Sequence, residues 1–125
     1  MPALDGRPPI ADLYAAFAPL RAAGWKEIEI TGQAAAGGLA LPVLAYLSGD
    51  EIDAVLIGGI HGREPAGPLA IARSIAHIAE FGREHGLLVM PMPNPWGYLH
   101  DERYGPSGQS VTDSDHLLGR SAAPA

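Results

Sequence analysis

Residues 54 to 64 read Ala54-Val55-Leu56-Ile57-Gly58-Gly59-Ile60-His61-Gly62-Arg63-Glu64, and Pro65 follows. A continuous apolar run such as Ala54 to Ile60 predicts a strand covered on both faces, the habit of parallel sheets. The glycines end it. Pro65 suits the start of a helix, where its missing N–H would have no intrahelical partner anyway. From there to Phe81, Pro68, Ile71, Ala72, Ile75, Ile78 and Ala79 recur at helical spacing, and Gly82 is a stop. Leu87 to Met90 is a second short apolar run. Strand, helix and strand over residues 54 to 90 predict a βαβ unit whose strands form the central parallel pair of a sheet. Open α/β sheets place their chemistry at the carboxyl ends of strands. His61 and Glu64 stand at that place.

Upstream, Ile10, Leu13, Tyr14, Phe17 and Leu20 mark one face of an amphipathic helix, with a break at Pro19 and a stop at Gly24. Glu27 to Thr31 and Leu39 to Leu47 predict two strands joined as a hairpin across a glycine- and alanine-rich loop. Pro42 predicts an edge position or a late start for the second of them. Downstream, Pro91, Pro93 and Pro95 impose extended or turn backbone. From Pro91 to Ala125 no element is predicted beyond a short turn at Asp115 to Leu118, and about 106 to 125 reads as a loop or tail. So long a structureless stretch is unusual in a compact domain. It reads as a functional loop, or as chain that packs on something further along.

The whole is one α/β domain of 125 residues, with a mixed, mainly parallel sheet and flanking helices. Apolar residues make up 47%, enough to bury a core. The formal net charge is −6 and the eight basic residues are scattered, which argues against nucleic acid or an anionic membrane as partner. Cysteine is absent, so disulfides and thiolate metal sites are excluded. The start, MPALDGRPPI, lacks the pattern of a signal peptide, and no apolar stretch reaches a membrane span. A soluble, cytoplasmic protein is expected.

His61 offers an imidazole nitrogen and Glu64 a carboxylate, both of which bind zinc. Alone, H-x-x-E is a weak signal: the ordinary account is a loop histidine and a carboxylate that complements a helix dipole. The segment after the next strand adds to it. Asn94-Pro95-Trp96-Gly97-Tyr98 follows Met90 closely, and Arg103 comes soon after. His61-Gly62-Arg63-Glu64, then Asn94-Pro95-x-Gly97-Tyr98, then Arg103 resembles the zinc carboxypeptidase family, the carboxypeptidase A-like metallopeptidases, over roughly residues 27 to 118. The resemblance implies that fold, zinc as cofactor, His61 and Glu64 as ligands, and Arg103 as the catalytic arginine that polarises the scissile carbonyl. It implies Asn94 and Tyr98 at the substrate site, and cleavage of a peptide or amide bond.

The departures are equally specific. The family's Asn-Arg pair for a substrate carboxylate has no counterpart in Gly108 to Leu118, which reads GQSVTDSDHLL. This opens an alternative, an N-acyl amino acid deacylase resembling aspartoacylase and succinylglutamate desuccinylase. The family's third zinc ligand and general-base Glu would fall beyond Ala125, so the chain reads as the N-terminal half of such a domain. A non-catalytic binding module is the other alternative. Under any of these readings, an unpaired sheet edge is open to a second copy. His116 is the in-chain candidate for a further ligand. Gly58-Gly59-x-x-Gly62 matches no nucleotide loop and Gly105-Pro106-Ser107-Gly108-Gln109 no nucleophile elbow. His77, His85 and His100 read as solvated residues, Trp25 and Trp96 as packing residues.

Overall fold

The structure, a computed structural model, describes residues 6–34 and 36–105. The turn predicted at Asp115 to Leu118, the tail from 106 and His116 lie outside the described residues.

Helices α1 (Ile10–Phe17) and α2 (Pro19–Ala22) come first, divided where Pro19 interrupts the ladder. Strands β1 (Lys26–Ala34) and β2 (Ala40–Leu47) form the antiparallel hairpin, in a register that shifts between Glu29 and Thr31. β3 (Ala54–Ile57) leads through the His61 loop to α3 (Ala66–Arg73) and α4 (Ile75–Phe81), and β4 (Leu87–Met90) returns. The predicted single helix is two, parted at Ser74, whose ψ of 13° has left the helical range. A last helix, α5 (Pro95–His100), lies where no element was predicted.

The strand order is β1-β2-β4-β3. β3 and β4 are parallel as predicted, Ala54 facing Leu87 and Ile57 facing Met90. The other two pairings are antiparallel, so the described sheet is mixed but not mainly parallel. The reason is topological: only β3-α3-α4-β4 is a crossover unit. Two further expectations are corrected. Among the described residues the parallel pair is not central, because β3 lies at the edge of the sheet. Nor is β3 covered: Val55 is 58% exposed, and Leu56 and Ile57 are exposed as well. Its apolar run asks for a neighbour that the described residues do not supply. Conversely β2 is interior, despite Pro42. β4 pairs with it only at Tyr46 and Leu47, so no strand on that side needs the missing N–H of Pro42. The carbonyl of Pro42 accepts from the Tyr14 hydroxyl at 2.8 Å.

The core lies between the helices and one face of the sheet. Leu13, Phe17 and Leu20 from the first helices meet Tyr46, Val89 and Leu87 from the strands, with Ile71 and Ile78 from α3 and α4. Trp25 joins them, as expected of a packing residue. Burial, and next the charge of Glu29, pushes the Tyr14 phenol well above the ordinary tyrosine range. Burial does the same at Tyr46, helped by its hydrogen bond to Glu27. Both groups favour the folded state while the phenols are neutral. Their contribution is complete below the unfolded tyrosine value of about 10 and is lost as pH climbs beyond it. Urea midpoints should therefore fall steeply above about pH 10. Tyr14→Phe should flatten that fall, and an unchanged slope would show that the buried phenol is not its source.

Candidate functional site

At the end of β3 the chain must turn sharply into α3. A side chain at Gly58 would press on Gly67 and Ile71, and one at Gly67 on Gly59, so the loop and the first helical turn touch through bare backbone. Pro65 caps α3 instead of occupying its first turn, and Glu64 stands immediately before it. The Glu64 amide donates to the His61 carbonyl at 3.1 Å, closing a turn. That turn overcomes the spacing of three and brings the side chains together: His61 Nδ1 lies 2.7 Å from Glu64 Oε2. The imidazole is largely enclosed, while the carboxylate is 61% exposed. The Tyr104 ring meets the imidazole edge-on, centroids 6.1 Å apart.

The second motif folds against this turn. Asn94 caps α5, its Oδ1 accepting from the Gly97 amide at 3.0 Å, and Pro95 opens the helix. A run of prolines conceals this cap-and-proline start. Asn94 is 1% exposed, and both polar atoms of its amide are bonded inside the protein. Its Oδ1 also accepts from Gln33 at 3.2 Å, and its Nδ2 donates to the Arg103 carbonyl at 3.3 Å. Gln33 in turn accepts from the Trp96 amide at 2.7 Å. Tyr98 is buried, its hydroxyl donating to the Pro8 carbonyl. The structure thus places Asn94 and Tyr98 behind the site, where they hold its wall. Gly62 sits directly on Gly97 and Tyr98, with no room for a Cβ. The Gly62 amide donates to the Arg103 carbonyl at 3.2 Å, so Arg103 is fastened beside the His61 turn, and its guanidinium lies 5.4 Å from the Tyr104 ring centroid.

The sequence reading missed Arg7. It is 6% exposed, and its guanidinium donates to the carbonyls of Tyr98 and Arg63, both at 2.9 Å, to Asp101 Oδ1 at 2.8 Å and to Gly62 at 3.4 Å. It also lies over the Tyr98 ring, 5.0 Å from its centroid. Most of its acceptors are backbone carbonyls, which carry no residue signature. Asp101, in the left-handed region at φ 56°, ends α5 there.

The remaining histidines are elsewhere. His77 is exposed, His85 stacks on Phe81, and His100 lies tilted against Trp96, each pair with centroids 4.4 Å apart. Among the described residues no cluster of three or more metal-binding side chains forms. The His61–Glu64 pair is nevertheless of the right chemistry. Two donors on one tetrahedral zinc, at bonds of about 2.1 Å, stand about 3.4 Å apart. The pair needs only to open slightly, which an exposed carboxylate can do. It supplies fewer than the three protein ligands typical of a catalytic zinc site.

No protein-family model matches the chain, and no curated protein is similar to it in sequence. Solved structures are. A "putative metallopeptidase" from Shewanella denitrificans OS217 superposes with a TM-score of 0.65 at 21% identity, over 88% of this chain and 45% of its own. Proteins so described from Shewanella baltica OS155 and Shewanella amazonensis SB2B each give 0.63, at 22% and 23% identity, over 80% of this chain and 38% of theirs. The chain therefore has the fold of these structures and spans less than half their length. Among the described residues no helix is long and apolar enough to cross a membrane.

Gly62→Ala should be among the most damaging single changes, because its Cβ meets backbone and not a movable side chain. A loss above about 3 kcal/mol is expected in chemical denaturation, against less than about 0.5 for Gly49→Ala, which faces open space. Equal effects at the two positions would refute the contact.

Proposed function

We propose that the chain is the site-bearing N-terminal part of a metal-dependent hydrolase of the zinc carboxypeptidase type, acting on a peptide or amide bond. One observation carries the reading: a paired imidazole and carboxylate at the carboxyl end of a parallel strand, on a fold shared with metallopeptidase structures. His61 and Glu64 would hold the ion, zinc by the chemistry of an N/O donor pair. When bound, such an ion supplies Lewis-acid polarisation of the scissile carbonyl. Arg103, whose guanidinium stays charged at any working pH, is suited to an oxygen on which negative charge develops. The Asn94 and Gln33 network fixes that arginine's backbone. A further ligand and a general base come, in this reading, from residues outside those described, and the open edge of β3 is where additional strands or a second copy would pair. A cytoplasmic setting goes with it.

The missing Asn-Arg pair in Gly108 to Leu118 takes away the support for C-terminal exopeptidase specificity, and the N-acyl amino acids are the second substrate class. Zinc titration calorimetry and paired substrate assays test both. The 125-residue chain should bind zinc weakly, through His61 and Glu64, and lose that binding on His61→Ala or Glu64→Gln. It should not approach turnover of about 1 per second. A longer form supplying the remaining groups should hydrolyse one of the two classes. Zinc binding that survives both substitutions would refute the site, and normal turnover by the short chain would refute the need for further groups.

A further inference from the structure

Arg7 is a buried cation outside every motif of the site, and its placement is costly unless its donors are satisfied. They are. One nitrogen serves Tyr98 and Gly62, the other Arg63 and Asp101. Gly62 and Arg63 are the two residues between His61 and Glu64. Tyr98 and Asp101 belong to α5 and its end. A flat, forked guanidinium can span these acceptors at once, and a lysine ammonium on a flexible stem cannot. The aromatic face of Tyr98 confines the group further.

We propose that Arg7 is the positioning residue of the His61–Glu64 pair. By holding the carbonyls of the two intervening residues against α5, it fixes the turn that sets Nδ1 against Oε2. Its part in metal binding rests on the hydrolase reading above. Its part in ordering the turn does not.

The test compares the full chain with Arg7→Lys, which keeps the charge and loses the fork. In the metal-free protein, amide exchange at Gly62 and Glu64 should rise at least about tenfold, while Tyr46 and Val89 in the sheet stay protected. Zinc affinity should fall about 10- to 100-fold, the usual cost of losing a group that orients ligands. A residue that served only global stability would release the sheet amides together with the turn. Unchanged exchange at Gly62 and Glu64 overturns the proposal. So does unchanged zinc affinity in a chain whose binding is lost on His61→Ala. If the parent chain binds no zinc through His61, the metal reading fails by itself, and exchange alone decides whether Arg7 orders the turn. Should Arg7→Lys unfold the chain, Asp101→Gly replaces it: glycine accepts the left-handed backbone there and removes only the carboxylate. The same changes, about two- to fivefold, are then expected, and their absence refutes the proposal.

Discussion

The backbone contact between Gly62 and Gly97 is the constraint on which the site depends. It brings the loop after β3 against α5 with nothing between the two segments. Only at that separation can the Gly62 amide reach the Arg103 carbonyl, and only then do Tyr98 and Gly62 present their carbonyls to one guanidinium. The glycines of H-G-x-E and N-P-x-G-Y are thus two halves of one contact. Neither bears a functional group, and both decide where functional groups stand.

Around that contact the polar groups are satisfied layer by layer. Asn94 caps α5, receives Gln33 from β1 and holds Arg103. Among the described residues no buried side-chain nitrogen or oxygen lacks a partner. A partly satisfied network in a low-dielectric interior would cost more than an apolar one. The wall behind His61 is closed by these bonds, while Glu64 extends into solvent. One side of the pair is fixed and the other adjustable, as suits donors that must move apart slightly to share an ion.

The local elements are legible in the sequence. Alternation gave the hairpin, the apolar runs gave the parallel pair, and Pro65 after Glu64 marked the entry to α3 within one residue. Three features escaped. α5 was hidden because prolines were read as breakers, although Asn94-Pro95 is also a cap followed by a first-turn proline. The position of β3 escaped because an apolar run reports a need for neighbours, not where they come from. Arg7 escaped because recognition by carbonyls is independent of residue type. Of the candidate site residues, His61 and Glu64 are together and Arg103 is adjacent through its backbone, while Asn94 and Tyr98 face inward.

The reach of Arg7 has a consequence for the order of events in folding. Its bond to Asp101 joins residues 94 apart in sequence, closing a loop almost as long as the described chain. Closure entropy grows only slowly with loop length, so the bond is affordable once the sheet has formed. It is nonetheless among the most non-local contacts present, and contacts of that kind slow folding. During synthesis Arg7 leaves the ribosome long before α5 does. The hairpin and the βαβ unit can condense in the meantime, and the Arg7 latch on the His61 turn closes only once α5 has been made. The turn that carries the donor pair is thus latched by segments from opposite ends of the described residues.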